Sequence, residues 1–277
     1  MTSAVIDATI ARDDDARRWR ALALLGEEMA SDAATTRSEE APRRSAPGPM
    51  LSEIARLTHV WINDERGVVL VRDVTLGVRT GEILGLAAVE GSGQHALLRV
   101  LAARIPATRG DVELPTQIGF VPEDRQRDGL VLDFSLAENV ALRGAGHRGG
   151  RIRWRAERSA ADAALREFDI RAGGVSESAG VLSGGNQQKL VLARELADSP
   201  TLVVAENPTR GLDIRATRDV HERLRRAAAA GAGVVLHSSD LDEVLALSDR
   251  VVVMHAGALH AVTGDRESVG RAMLGVA

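Results

Sequence analysis

The chain has 277 residues, three tryptophans, three phenylalanines, no tyrosine, no cysteine and a formal net charge of −4. The missing cysteines exclude thiolate metal sites and disulfide-stapled secreted scaffolds. The few aromatic rings and the mild acidity argue against binding of nucleic acid or anionic lipid. Of 35 basic residues only Lys189 is a lysine, so a mechanism that needs a lysine elsewhere is excluded.

The first 50 residues differ in composition from the rest. Residues 13–25 favour a short helix, and residues 31–50 are rich in alanine, serine, glutamate and proline, which is typical of a linker. The start of the chain lacks the apolar segment of a secretory signal, and the longest apolar runs have strand length. We predict a helix plus flexible linker over residues 1–50, a folded domain over 51–277, and a cytoplasmic protein.

From residue 68 onward, predicted strands and helices alternate. Such alternation is typical of an α/β fold with a mostly parallel sheet. The predicted strands are 68–76, 82–89, 117–121, 201–205, 233–237 and 250–255. The predicted helices are 95–104, 155–168, 183–197, 215–230 and 240–247.

A glycine-rich turn joins the strand at 82–89 to the helix at 95–104, as in a phosphate-binding loop. The complete motif needs glycine, four residues, glycine, lysine and a hydroxyl residue. Gly91 and Gly93 fit, but Ala88 replaces the first glycine, Gln94 the lysine and His95 the hydroxyl that holds Mg²⁺. Ser92 completes this loop. Alone, the stretch is equally consistent with an ordinary glycine turn.

A second motif is more specific. Leu182, Ser183, Gly184, Gly185, Asn186, Gln187 and Gln188 form the string LSGGNQQ at the start of a predicted helix. After the next strand comes ENPTRGLD, which ends in Gly211, Leu212 and Asp213. The order and spacing resemble the ATP-binding cassette (ABC) family, in which these strings are the signature and the D-loop. An ordinary helix N-cap with a flexible turn is the alternative for Ser183 to Gly185.

The resemblance covers about residues 51–277 and implies the fold. It implies a P-loop NTPase-like ABC nucleotide-binding domain with a mostly parallel sheet, an antiparallel β subdomain and a helical subdomain over about 125–198. The string VPEDRQRDGLV at 121–131 resembles second cassettes of sugar and nucleoside importers, where two cassettes share one polypeptide. AAVEGSGQ at 87–94 is closer to the nucleoside type. Residues 1–50 then resemble the end of a preceding cassette plus a linker.

In this family ATP lies between the phosphate loop of one cassette and the signature of another. The resemblance implies an importer ATPase subunit for nucleosides or simple sugars, whose signature serves ATP and Mg²⁺ held mainly by the partner cassette. Its partners would be that cassette, membrane permease subunits contacting 123–138 and, indirectly, an extracytoplasmic substrate-binding protein, with no nucleic acid. The location would be the inner face of the cell membrane. Lys189, on the signature helix, would be a surface charge or an interface contact.

The chain's own nucleotide face departs from the family pattern. Glu206 replaces the metal-organising aspartate, and Asn207 replaces the glutamate that polarises water. Because an amide cannot accept that proton, general-base help is lost. Ser239 falls at the switch-histidine position, and a carboxylate at the Q-loop position, Glu123, repels phosphate unless arginine or metal compensates. We therefore assign no catalytic residue or metal ligand there, and expect hydrolysis near background.

Three other functions remain as alternatives. A non-transport ABC protein of DNA repair or translation would carry long coiled coils or two intact cassettes, which this sequence lacks. A non-catalytic nucleotide-binding regulator, or a truncated relic of such a cassette, would share the degenerate loop. A metallohydrolase built on His95 and Glu206 is disfavoured, because no His-x-x-x-His or similar ligand spacing is present.

Overall fold

The computed structural model describes residues 52–143 and 151–276. The helix and linker predicted within residues 1–50 lie outside the described residues. None of the described helices is both long and apolar enough to cross a bilayer.

A small antiparallel sheet opens the described chain. Strands β1 (Glu53–Asn63), β2 (Val69–Arg79) and β4 (Arg109–Glu113) pair in the order β2-β1-β4. Strand β1 alternates buried and exposed side chains, but its register shifts near His59, whose φ is +51°. This bulge lets apolar side chains on both sides of it face the core.

The second sheet has six strands in the order β5-β6-β7-β3-β8-β9. Its first five strands are parallel, and β9 is antiparallel to β8. Every residue of β3, β6 and β7 is buried, as expected for a parallel sheet covered on both faces. The strands are β3 (Ile83–Ala88), β5 (Ile118–Val121), β6 (Leu202–Glu206), β7 (Gly233–His237), β8 (Arg250–His255) and β9 (Ala258–Ala261).

Helices cover both faces of this sheet. One apolar cluster joins the helix α1 (Gln94–Leu101) to both sheets. A second cluster places the helices α4 (Gly184–Glu195) and α5 (Ile214–Ala229) on the opposite face of the parallel sheet. A π-helical turn (Arg125–Gly129) follows β5, and a 3₁₀ turn (Ala179–Val181) precedes α4. The α-helices are α1 (Gln94–Leu101), α2 (Leu136–Ala141), α3 (Trp154–Glu167), α4 (Gly184–Glu195), α5 (Ile214–Ala229), α6 (Leu241–Leu247) and α7 (Arg266–Met273).

The predicted α/β class, with a mostly parallel sheet and a separate antiparallel sheet, is confirmed. Each predicted strand and helix is present with ends shifted by a few residues. The individual elements β1, β4, β9, α2 and α7 were not predicted. Strand β4 is charged and largely exposed, and α7 buries one residue, Val269, so neither shows a strong hydrophobic period.

Helix α2 illustrates how polar side chains fix the segment that follows β5. Ser135 caps the helix and forms a capping box with Glu138. Asn139 is completely buried, and its amide donates to the carbonyls of Val131, Phe134 and Ser135 at 2.9, 3.3 and 3.1 Å. Its Oδ1 accepts the Val131 N–H at 2.9 Å. The Asn139 side chain therefore provides hydrogen-bond partners for backbone groups of Val131, Phe134 and Ser135, in the loop before α2.

Replacement of Asn139 by alanine should lower the free energy of unfolding by about 1–3 kcal/mol, because buried backbone groups lose their partners. Urea denaturation followed by circular dichroism measures this loss. Asn63→Ala is the matched control, since Asn63 joins the ladder only through its backbone. Equal stability of the two variants would contradict the bridging role of Asn139.

Candidate functional site

The candidate site lies where parallel strands β3, β5, β6 and β7 end. Because carboxyl ends of parallel strands meet at one edge of a sheet, residues distant in sequence come together there. Each of these strands ends at or near a candidate residue. The loop 89–93 follows β3, Glu123 lies after β5, Glu206 and Asn207 lie at the end of β6, and Ser239 lies after β7. An open cleft of about 610 Å³ is lined by His95, Arg99, Glu123, Asp124, Arg125, Gln126, Asp128, Glu206, Arg210 and Gly211.

The turn after β3 is held tightly against β2. Gly91 and Gly93 have φ of +83° and +99°, values that favour glycine. A Cβ on Gly93 would lie 2.3 Å from the Leu70 carbonyl oxygen, so only glycine fits. The Gly257 N–H donates to the Ser92 carbonyl at 2.9 Å. This turn therefore has a fixed course into α1.

Gln94, at the position of the motif lysine, is fully buried. Its Nε2 donates to Glu90 Oε2 at 3.2 Å, and its Oε1 is buried without a hydrogen-bond partner among the described residues. The side chain is thus neutral and tied to an acid of its own loop.

His95 lies between two carboxylates. Its Nδ1 is hydrogen-bonded to Glu206 Oε1, and its Nε2 lies 2.9 Å from Glu90 Oε1. The hydrogen bond to Glu206 raises the pKa of His95 against the opposing effect of burial, and Glu90 adds to the rise. His237 lies edge-on, with ring centroids 6.1 Å apart, and burial lowers its pKa. His237 bonds the Leu86 carbonyl at 2.9 Å, which fits a core histidine at the end of β7.

Glu123 is paired with an arginine. It forms an ion pair with Arg210, whose carbonyl accepts a bond from Arg125 Nη1 at 3.3 Å. His95, Glu123 and Glu206 each offer one ligand atom, all within 4.8 Å of one another. No sequence motif signals this convergence, because the three residues lie on three separate elements.

Asn207 connects the ends of β6 and β7. It is buried, with φ of +43°. Its N–H donates to the His237 carbonyl and its Oδ1 accepts the Ser239 N–H, both at 2.7 Å. Ser239 takes part here through its backbone. The amide at position 207 thus bridges two strand ends.

The signature motif starts helix α4. Ser183 is the N-cap, and its Oγ accepts from the Asn186 N–H at 3.5 Å and from Asn186 Nδ2 at 3.2 Å. A Cβ on Gly184 would lie 2.6 Å from Arg125 Nη2, whereas one on Gly185 would meet only Ala216, at 3.9 Å. The first turn is therefore close to Arg125 on one side and open on the other. Leu182 is buried beneath it.

Two glutamines connect the signature helix to both neighbouring segments. Gln187 accepts from Gln126 Nε2 at 3.0 Å and donates to the Ala179 carbonyl at 3.2 Å. Gln188 donates to the Pro208 carbonyl at 2.7 Å. No sequence pattern indicates the partners Gln126 and Pro208, since hydrogen bonds between distant segments leave no periodic pattern.

The side chain of the sole lysine is mostly covered but borders a surface hollow. Lys189 Nζ donates to the Asp169 carbonyl at 3.1 Å and forms ion pairs with Asp219 at 3.5 Å and Asp169 at 3.6 Å. Only 14% of its side chain is exposed. Lys189 is therefore a paired charge beside a surface hollow, and its role as an interface contact stays a prediction.

The D-loop segment is fixed at both ends. Asp213 caps α5 by accepting the Ala216 N–H at 2.8 Å, and Gly211 has φ of +71°. Thr209 donates to Glu243 Oε2 at 3.0 Å, and His221 Nε2 bonds Glu243 Oε1 at 2.6 Å. The order of this segment thus depends on the buried carboxylate of Glu243 on α6.

A surface hollow of about 230 Å³ connects the signature and D-loop segments. Ser183, Gly185, Asn186, Lys189 and Asp213 are among the residues that line it. The signature and D-loop segments therefore share one concave surface, separate from the cleft beside the phosphate-type loop.

Comparison with known proteins identifies the family and the fold. Residues 71–210 match the family model described as ABC transporter. The chain belongs to this family. Its structure also resembles a solved dimeric ATP-binding cassette in a post-hydrolysis state with bound ADP and Pi. The two chains are 22% identical in sequence, and their TM-score is 0.65 over 76% of this chain and 100% of the other. At this identity the likeness shows the fold alone.

Curated relatives are importer ATP-binding proteins. The nucleoside import ATP-binding protein NupA of Lactococcus lactis is 36% identical over 77% of this chain and 47% of its own length. The guanosine import ATP-binding protein NupO of Bacillus subtilis is 34% identical over 82% of this chain and 47% of its own length. The glucose import ATP-binding protein TsgD13 of Haloferax volcanii is 36% identical over 84% of this chain and 46% of its own length. The chain spans about half the length of these relatives.

Replacement of Glu243 by glutamine should destabilise the protein most near neutral pH. Burial opposes ionisation of Glu243, yet hydrogen bonds from His221, Ser238 and Thr209 hold its pKa below the ordinary value of 4.5. A depressed folded-state pKa stabilises the fold above the ordinary value, and this contribution is lost as the pH falls through the folded-state pKa. The difference from wild type should be about 1–3 kcal/mol near neutral pH.

Urea denaturation near neutral pH and at about pH 4 measures this dependence, because the ordinary carboxyl pKa lies close to the lower value. The difference between wild type and Glu243→Gln should shrink on acidification. Glu65→Gln, in an exposed turn between β1 and β2, is the control and should show little difference at either pH. If the difference in the free energy of unfolding between wild type and Glu243→Gln grows on acidification, the predicted direction of the pH dependence is wrong.

Proposed function

We propose that this chain is the ATP-binding subunit, of second-cassette type, of an ABC importer for nucleosides or simple sugars. The observation that carries the proposal is the contrast between its two faces. The signature face has a serine-capped helix N-terminus with an open glycine, whereas the loop face has three carboxylates and no lysine. Similarity to nucleoside, guanosine and glucose import proteins supports the transport role.

The signature face suits a phosphate group. Unpaired N–H groups at a helix N-terminus, together with the helix dipole, attract anions. Ser183 adds a hydroxyl, and the open side of Gly185 leaves room for a ligand from a partner. In the proposed dimer the γ-phosphate of ATP held by the partner cassette binds here, and Asp213 lies close to the interface.

The chain's own loop fits ATP and Mg²⁺ poorly. Glu90, Glu123 and Glu206 present carboxylates around His95, and like charges this close repel a polyphosphate. Gln94 contributes no positive charge, and Asn207 uses its amide oxygen to accept the Ser239 N–H. Each missing group is worth about 10²–10³-fold in phosphoryl transfer. We therefore place hydrolysis at the partner's loop, which also holds most of the Mg²⁺.

The glutamine contacts provide a route from the signature to the permease. Gln187 bonds Gln126, which lies in the segment 123–138 that we propose contacts the membrane subunits. Val131 and Phe134 in that segment are each 40% exposed, so apolar surface is available for docking. Closure of the two cassettes around ATP would move α4 and, through Gln187, the segment 123–138.

The remaining assignments follow from the same proposal. The partners are a second cassette, permease subunits and, indirectly, an extracytoplasmic substrate-binding protein. The chain acts at the inner face of the cell membrane. A non-catalytic regulator or a relic of a cassette is the alternative that the carboxylate-rich loop also favours, and it predicts no stimulation of a partner's ATPase.

Reconstitution with a cassette that has an intact phosphate loop tests the proposal. Ser183→Arg should reduce ATP hydrolysis by the pair by about 10²-fold or more, because a bulky side chain replaces a donor to the γ-phosphate. Ser159→Arg on the exposed side of α3 makes the same chemical change away from both faces and should leave the rate unchanged.

A variant of the partner without its own catalytic glutamate separates the two sites. Its pair with the present chain should be inactive, since the present chain's loop contributes no hydrolysis. Residual hydrolysis would mean that the loop beside His95 is active. Full activity of the Ser183→Arg pair would remove the signature face from the mechanism, and no stimulation of the partner by the wild-type chain would favour the regulator or relic.

A further inference from the structure

Three departures from the family pattern meet at one point. His95 in the first turn of α1, Glu123 after β5 and Glu206 at the end of β6 each offer a ligand atom, and these atoms lie within 4.8 Å of one another. The side chain of Glu206 is only 3% exposed, so its carboxylate faces inward, towards His95 Nδ1. The substitutions that weaken the fit for a polyphosphate therefore create a compact donor set.

We propose that His95, Glu123 and Glu206 bind a divalent transition metal ion of the zinc or manganese class in the absence of nucleotide. One imidazole nitrogen and two carboxylates suit Zn²⁺, Mn²⁺ or Co²⁺. Mg²⁺ prefers oxygen ligands and near-octahedral geometry, so the imidazole disfavours it. The site thus differs in ligands and in metal from one organised by ATP phosphates.

Neighbouring side chains orient the imidazole for this role. A metal-bound histidine usually has its second ring nitrogen bonded to a carboxylate or carbonyl, which fixes the ring. His95 Nε2 lies 2.9 Å from Glu90 Oε1, leaving Nδ1 to face Glu206. Glu90 is held in turn by Gln94 Nε2 at 3.2 Å. The glutamine at the motif-lysine position therefore supports the histidine instead of contacting phosphate.

Charge also favours a cation here. Glu90, Glu123 and Glu206 approach one imidazole ring, which can balance the charge of at most one carboxylate. Arg210 pairs with Glu123, but 68% of the Arg210 side chain is exposed. An exposed ion pair is worth little, so Glu123 can exchange Arg210 for a metal ion at small cost. Three protein ligands leave further coordination positions facing the cleft of about 610 Å³.

Metal titration of the full chain tests the proposal. The protein is stripped with chelator, freed of nucleotide and titrated with Zn²⁺, Mn²⁺ and Mg²⁺ by isothermal calorimetry. One Zn²⁺ should bind per chain, and Mg²⁺ about 100-fold more weakly or not at all. His95→Ala and Glu206→Gln should each lower Zn²⁺ affinity by about 100-fold or more, and Glu90→Gln by about 10-fold.

Cobalt provides a readout that does not depend on affinity alone. One equivalent of Co²⁺ should give visible absorption bands, because d-electron transitions report nitrogen and oxygen ligands. His95→Ala should lose these bands, and the near-isosteric Glu206→Gln should weaken them. Circular dichroism of each variant checks that it folds. If His95→Ala does not fold, the near-isosteric Glu206→Gln still tests the site.

A second histidine–carboxylate pair supplies the matched control. His59 Nδ1 lies 2.7 Å from Asp73, and both side chains are more than half exposed. His59→Ala should leave Zn²⁺ affinity and the Co²⁺ spectrum unchanged. Equal loss in His59→Ala, Mg²⁺ binding as tight as Zn²⁺, or no stoichiometric binding would each overturn the proposal. Because neither ATP nor a partner cassette is present, failure of the importer proposal would leave these results unaffected.

Discussion

The parallel pairing of β5, β6, β7 and β3 is the constraint on which the candidate cleft and the start of the D-loop segment depend. It brings the carboxyl ends of these strands to one edge, so the residues after each strand meet although the sequence separates them. The loop after β3 is then held in place by Gly93, whose close approach to the Leu70 carbonyl allows no Cβ. A fixed loop and a fixed strand end together set the position of His95 relative to Glu206.

The two faces are mechanically connected through helix α4. Its first turn carries the signature, its second bonds Gln126 and Pro208, and Lys189 fastens it to Asp169 and Asp219. A shift of the helix would therefore stretch or break its hydrogen bonds to the segment after β5 and to the D-loop segment. A rigid connection of this kind suits a domain whose ligand binds at one surface and whose response is needed at another.

Much of the fold could be predicted from the sequence, and less of the site. Continuous apolar runs such as 202–205 indicated buried strands, and glycine and serine marked the start of α4. Strand β4 gave no such signal because it is charged and exposed. The sequence suggested His95 and Glu206 together only as a disfavoured metal site. The approach of Glu123 to them, and of Asp169 and Asp219 to Lys189, could not be predicted, since each depends on tertiary pairing of distant segments.

The backbone at Asn207 limits which side chains this position accepts. Its φ of +43° lies in a region that asparagine tolerates better than most residues, and its amide joins the ends of β6 and β7. Glutamate at this position would meet a conformational penalty of about 1–2 kcal/mol and would lose this bridge. A carboxylate general base at position 207 therefore requires compensating changes elsewhere, since a single substitution that supplies one costs stability.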